Sequence, residues 1–422
     1  MPTTHPNSPN ISNIPRPSER RIALRIRKDA ERILRQGHPW LFEGAIQHQS
    51  HAGKPGDLVV IFDQQRKFVA VGLYDPYSPI RVRVLQHSTP ATIDQSWFET
   101  RLVEAVQLRA PLQKLPPEAT TSGYRLAHGE NDGLPGLIID RYEDTLVIKL
   151  YTSAWIPHLR EVMAAIQRVS GGERLVLRFN RSLLNQPGDL YGLEDGMVLY
   201  GSPLEEPVIF TENGLRFEAN LLHGQKTGFF FDQRDNRARV ERLSSGKKVL
   251  DVFAYTGAFS VYAARGGAET ISSIDASQPA LETAARNMRQ NKVFPTVASA
   301  RHETITGDAF KLMDQMGIAG QRFDLVIIDP PAFAQKQSQI PQAISAYQRL
   351  TQLGLSVLQP GGTLVQASCS SRVTGEAFYD ATHRAAQEAG RPLRELSRNG
   401  HPIDHPVRFK EGAYLKCLFA MA

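Results

Sequence analysis

The strongest constraint on this chain lies in its second half, where β-rich runs and helical runs alternate. From about residue 203, "KKVLDVFAYTGAFSVYAARGG" reads as strand, glycine turn and helix, and "TISSIDAS" as a strand ahead of the helix "QPALETAARNMRQN". "FDLVIIDPPAF" and "GGTLVQASCS" add two more strands. Strands separated by helices at this spacing predict a parallel, doubly wound sheet. Ligands of such sheets bind outside the carboxyl ends of the strands. Here those ends read Asp251, Asp275, Asp329 and Cys369, with Asp308 closing a further segment, "TGDAF".

A chain of 422 residues exceeds one ordinary core. Residues 1–20, "MPTTHPNSPNISNIPRPSER", are rich in Pro, Asn and Ser, lack the apolar stretch of a secretory signal, and are expected to be a disordered tail. A basic block follows: Arg20, Arg21, Arg25, Arg27, Lys28, Arg32 and Arg35, opposed by Asp29 and Glu31. Residues 21–95 then carry short β runs, "GDLVVIFD", "KFVAVGLY" and "IRVRVLQ". The last alternates Ile80, Val82 and Val84 against Arg81 and Arg83, which places the arginines on the solvent face of a small β domain. Arg25, Arg27, Arg81 and Arg83 are its candidate RNA-binding side chains. Residues 96–202 mix helical and strand periods, as in a small α+β domain. Within it "HGENDGLPGL" has His, Glu and Asp but also three Gly and a Pro, so a tight connection is the expectation rather than a metal site.

No apolar run is long enough to span a membrane. Two cysteines form neither a disulfide framework nor a zinc ligand set, and a reducing cytoplasm is the expectation. The net charge of +6 leans towards a polyanionic partner.

The turn "DVFAYTGAFS" joins a strand to a helix and exposes backbone N–H groups at the sheet edge. Its residues Phe253, Tyr255, Thr256 and Gly257 hold only one glycine, so it lacks the fingerprint that lets a pyrophosphate approach the backbone. S-adenosylmethionine has no phosphate and suits such a turn. Asp251 would stand near its ammonium group, Asp275 would accept both ribose hydroxyls, and Asp308 could address the adenine amino group. Each of these carboxylates also reads as a helix cap or turn residue when taken alone.

"VLDVFAYTGAFSVYAA", "IDAS", "GDAF", "IDPPAF" and "QASCS" resemble the motifs of class I methyltransferases. Together with "GHPWLFEGAI", "HGENDGLPGLIIDRY", "KTGFFFDQRDNR" and "DHPVRFKEGAYLK", they are similar to the large-subunit (23S) ribosomal RNA cytosine methyltransferase I family over nearly the whole chain after residue 20. The resemblance implies a multidomain α/β protein: an N-terminal PUA-like β domain (21–95), a central small α+β domain (96–202) and a C-terminal Rossmann-like methyltransferase domain (203–422). It also implies that Phe229, Gln233 and Arg234 line the cofactor pocket, although three consecutive Phe also read as core.

Carbon 5 of cytosine is too weak a nucleophile to take a methyl group unaided. A thiolate adding to carbon 6 makes it an enamine, and a base must afterwards remove the carbon 5 proton. Cys369 is the candidate nucleophile, flanked by Ser368, Ser370 and Ser371 in what reads as an exposed loop, whereas Cys417 reads as core. A protonated Asp329 could hydrogen-bond N3 of the base. "DPPAF" lacks the second cysteine found in many RNA cytosine methyltransferases, which leaves the base open. Similarity to uridine carbon 5 methyltransferases suggests Glu411, with His405 as a rival. Methylation of a nitrogen without a covalent intermediate, and an inactive RNA-binding assembly factor, stand as alternatives. Ribosomal RNA is the expected partner, free or in a particle, and a homodimer is left open.

Overall fold

The computed structural model describes residues 11–114, 116, 119–185, 188–204, 207–224 and 226–422. They form two compact units. The first is built from the chain up to Thr211 with Ala219–Phe231 and Ile403–Phe409; the second takes Glu212–Glu218, Asp232–Pro402 and Lys410–Ala422.

The first unit contains a six-stranded sheet, in the order Trp40–Phe42, Ile80–His87, Phe68–Tyr74, Leu58–Phe62, Ile22–Ile26 and Ile46–Gln49. Alternation explains its strand at 22–26: Ile22, Leu24 and Ile26 are buried while Arg25 points outward. A second, five-stranded sheet runs Val198–Tyr200, Arg174–Phe179, Thr145–Leu150, Leu137–Tyr142 and Gly123–His128, with helices at Gln95–Gln113 and Leu159–Ser170. Asp94 caps the longer helix, accepting the Trp97 N–H. One core passes from Val71, Leu73 and Leu85 of the first sheet to Ile139, Ile148 and Leu177 of the second.

Three expectations change here. Residues 1–10 of the expected tail lie outside the described residues, but residues 11–20 are held in place. Ile14 enters the core, and the Ser18 N–H donates to the Asp57 carboxylate at 2.9 Å. Arg83 does not face solvent: it is 6% exposed, because the strand Ile80–His87 is interior to its sheet and the turn around Gly136 covers it. A Cβ on Gly136 would stand 2.8 Å from Arg83 Nε. Arg81 is half-buried and ion-paired to Glu43 at 2.6 Å. Arg25 and Arg27 are exposed as expected.

The cluster "HGENDGLPGL" is a turn whose polar residues are occupied structurally. Asp132 takes both guanidinium nitrogens of Arg109 at 2.9 and 2.6 Å and accepts the His128 N–H, and Glu130 accepts Trp40 Nε1. Gly133 and Gly136 sit at φ 75° and 79°, a region costly for other residues.

In the second unit seven strands form one sheet: β1 (Lys248–Val252), β2 (Thr270–Asp275), β3 (Arg301–Thr306), β4 (Phe323–Ile328), β5 (Leu358–Ser368), β6 (Arg394–Asn399) and β7 (Lys416–Met421). Their order is β3-β2-β1-β4-β5-β7-β6. Neighbours from β3 to β5 pair in parallel, while β7 runs antiparallel to both β5 and β6. The strand order reverses at β1 and β4, which opens a crevice outside their carboxyl ends. Val252, Leu250, Val326 and Ile328 are wholly buried, as a sheet covered on both faces requires.

Candidate active site

The turn after β1 is the first wall of that crevice. Phe253 and Tyr255 have φ of 63° and 50°, and Gly257 follows at 72°. Three left-handed residues at alternate positions would ordinarily all be glycine. The glycine-poor sequence therefore hides a backbone of the glycine-rich kind, and no residue pattern announces it. Gly257 is the one position with no room: a Cβ there would lie 2.6 Å from Ala284 Cβ on the helix Gln278–Gln290. The strained turn is tied down by Asp275, whose Oδ2 accepts the Tyr255 N–H at 2.9 Å while Oδ1 accepts that of Ser277 at 2.8 Å.

Asp251 is 1% exposed, and Ser260 donates to its Oδ2 at 2.6 Å. Its Oδ1 is buried without a hydrogen-bond partner. Burial pushes the carboxyl up to about 6. A buried carboxylate oxygen with an unfilled acceptor site, beside a turn rich in backbone N–H groups, fits the amino-acid end of S-adenosylmethionine. Thr256 is 7% exposed, and its carbonyl accepts from Asn287. Asp308 caps the helix Ala309–Ile318, accepting the Lys311 N–H at 3.0 Å, so its place at this edge has a structural cause as well.

Asp329 follows β4 and is half-buried. Its Oδ1 accepts Gln233 Nε2 at 2.9 Å, Gln233 Oε1 accepts Asn236 Nδ2 at 2.6 Å, and Asn399 Nδ2 donates to Asn236 Oδ1 at 3.0 Å. This amide chain fixes which way the Asp329 carboxyl faces. Arg234 is 2% exposed beside Asp235. Phe229, expected in the pocket, belongs instead to the aromatic core of the first unit: it is 2% exposed and lies 5.0 Å from Phe210 and 5.5 Å from Phe231, ring to ring. Apolar burial won over the motif position.

Cys369 follows β5, beside the end of β4, half-buried, its Sγ 3.9 Å from the Pro330 carbonyl. Of the serines around it Ser371 is exposed, but the two that bracket it are not solvated. Ser368 and Ser370 are both wholly buried on Tyr347, with the Ser368 hydroxyl donating to the phenol oxygen at 2.7 Å and that of Ser370 at 2.9 Å from it. Ser370 Oγ also accepts the Phe333 N–H of the "DPPAF" loop at 3.1 Å. Ser368 and Ser370 thus clamp the strand end on either side of the half-buried Cys369. Cys417 is wholly buried, and burial pushes its thiol well up.

Glu411 is exposed on the turn Lys410–Gly412, which leads into β7 at the end facing Cys369. His405 is 1% exposed in the first unit, 3.2 Å from the Asp404 carboxylate and ring to ring 4.9 Å from His128. Tyr347, Asn236, Asn399 and Lys416 went unread in the sequence. Only Lys416, a lone cation opening the apolar run "KCLFA", left any local signal.

Comparison with known proteins bears on the fold and the family. Residues 137–418 match the model of an S-adenosylmethionine-dependent methyltransferase family, and residues 24–87 that of a PUA-like domain. A ribosomal RNA large subunit methyltransferase of Deinococcus radiodurans is 45% identical over 96% of this chain and 98% of its own. A ribosomal RNA large subunit methyltransferase I of Pseudoalteromonas translucida is 36% identical over 94% and 98%. A solved methyltransferase structure from Streptococcus mutans superposes with a TM-score of 0.80, at 21% identity, over 95% of this chain and 100% of that one. A second, complexed with SAH, does so with 0.80 at 22%, likewise over 95% and 100%. At that identity the two structures speak to the fold. On the family model and the sequence relatives, this chain belongs to the ribosomal RNA large subunit methyltransferase I family, S-adenosylmethionine-dependent enzymes that join a PUA-like domain to a Rossmann-like methyltransferase domain.

Proposed function

We propose that this enzyme methylates carbon 5 of a cytosine in large-subunit ribosomal RNA through a covalent bond between Cys369 and carbon 6. The observation that carries the reading is the placement of Cys369: it stands half-buried between two serines clamped on Tyr347, next to the end of the strand that precedes Asp329. Bound S-adenosylmethionine supplies the electrophilic methyl group. The Cys369 thiolate gives an electron pair to carbon 6, and the ring's double bond shifts so that carbon 5 becomes nucleophilic. Asp329, aimed by Gln233 and carrying a proton when the base is bound, donates a hydrogen bond to N3 and offsets the negative charge that builds there. Once carbon 5 carries the methyl group, Glu411 takes its proton, the electron pair restores the double bond, and the carbon 6 to Sγ bond breaks to release the thiolate.

Asp251, Asp275, Asp308, the turn Phe253–Gly257, Gln233 and Arg234 are the residues proposed to hold the cofactor. Arg25 and Arg27, exposed on the PUA-like domain, are proposed to hold RNA phosphate or base edges. A domain division near residues 95 and 202 and a cytoplasmic setting complete the reading.

Incubation with 5-fluorocytosine ribosomal RNA tests it, because fluorine at carbon 5 blocks the final proton removal. Mass spectrometry should find an enzyme–RNA adduct through Cys369, with Cys369→Ala giving neither adduct nor product. Methylated product from Cys369→Ala enzyme would overturn the covalent mechanism and leave methylation at a nitrogen.

A further inference from the structure

We infer that Lys416 is a positioning residue for the nucleophile: its ammonium group fixes the loop that carries Cys369 and provides the positive charge that favours the Cys369 thiolate. This rests on Cys369 being the nucleophile. The first observation is geometric. Lys416 is 5% exposed at the start of β7, paired across the sheet with Ser368, the residue before Cys369. Its Nζ donates to three carbonyls: Ser370 at 2.7 Å, Val373 at 2.8 Å and Tyr414 at 2.8 Å. Three acceptors around one amine nitrogen match the three donors of an ammonium, and a neutral amine has only two. Two of the three lie just past Cys369, so the lysine holds the loop that follows the thiol.

The second observation concerns compensation. Among the described residues no carboxylate forms an ion pair with Lys416, although a buried cation is normally balanced by one. Burial pulls it down to about 8, and the group that acts in the opposite direction is Cys369. A thiolate at Cys369 therefore gives this cation its counter-charge, and the cation in turn lowers the cost of the thiolate. Other ionisable groups facing this corner include Asp329 after β4 and Tyr347 of the helix Ile340–Val357. In the enzyme without RNA an ionised Asp329 disfavours a second negative charge, which the Lys416 cation offsets. Burial raises the Tyr347 phenol, so it stays neutral over the working range.

The test is the pH profile of Cys369 alkylation by iodoacetamide in the full-length protein without RNA, followed by mass spectrometry of the Cys369 peptide. The wild-type midpoint should lie below the ordinary thiol value of about 8.5. In Lys416→Met it should rise by about one unit or more, and Lys416→Arg should restore most of the shift. A wild-type midpoint at or above about 8.5 overturns the inference even if Lys416→Met does not fold. So does a folded Lys416→Met protein with the wild-type midpoint. Because no RNA is present, an unshifted profile would leave the 5-fluorocytosine adduct standing. Failure of that adduct would count against the covalent mechanism and not against the alkylation profile.

Discussion

At Asp251 two demands conflict. Its depth in the sheet favours the neutral acid, while the ammonium ligand proposed for it needs the carboxylate, and burial has moved the group up to about 6. The folded value lies above the ordinary 3.8, so an ionised Asp251 costs stability above about pH 6, and that cost is relieved as pH falls through it. Cofactor affinity runs the other way. Below about pH 6 the carboxyl must lose a proton before it can pair, so S-adenosylmethionine should bind more weakly by up to about tenfold per pH unit. Calorimetry at several pH values checks this, and Asp251→Asn should bind weakly throughout with a flattened profile. Phe253 and Tyr255 show a related tension, since each holds a left-handed backbone at a cost of about 1–3 kcal/mol. Such strain persists because Asp275 and the flanking sheet over-determine the turn.

Among the elements, the end of β5 is the one whose chemistry depends most on its support. Leu358–Ser368 is an apolar strand that would fray where its ladder stops, yet Tyr347 from the helix Ile340–Val357 binds both serines that bracket Cys369. The same helix returns a second contact, with Thr351 donating to Gln366 at 2.9 Å. Tyr347→Phe removes the phenol oxygen and leaves the Ser368 hydroxyl short of a partner, at a cost of about 1–3 kcal/mol. Urea unfolding should show that loss, and adduct formation with 5-fluorocytosine RNA should slow while S-adenosylmethionine affinity stays near wild type. An unchanged adduct rate would show that the clamp does not position the thiol. Ser368 and Ser370 read like the exposed Ser371 because serine is common in both settings, and only the helix packed behind them decides between the two.

Over the whole molecule, the first unit is completed by chain that comes after most of the second. Arg109 is wholly buried, binds Asp132 through both terminal nitrogens, and donates to the Asp404 carbonyl at 2.8 Å across 295 residues of sequence. The Asp404 carboxylate in turn accepts the Arg125 N–H at 3.0 Å. Arg109→Met leaves Asp132 buried without its cation and should destabilise the protein by about 3–5 kcal/mol, read by chemical denaturation. Asp132→Asn should cost comparably, and the double substitution should cost less than the sum of the two, because the first change already removes the pair.

Much of the catalytic unit was legible without coordinates. Helix and strand periods are local properties, so the alternation from residue 203 sufficed for the parallel sheet, and strand ends could be read for Asp251, Asp275, Asp329 and Cys369. What covers a face is not local. Arg83 alternates like a surface residue and is buried by a turn from the neighbouring sheet, and Phe229 sits in a cofactor-like motif but is drawn into an aromatic core. The left-handed turn at Phe253 and Tyr255, the return of Ile403–Phe409, and the lysine beneath Cys369 likewise depend on contacts between residues far apart in the chain. The sequence by itself determined which side chains the sheet offers at its edge; tertiary packing decided which of them are clamped, charged or free to reach a substrate, because burial and long-range hydrogen bonds are set only when the distant segments meet.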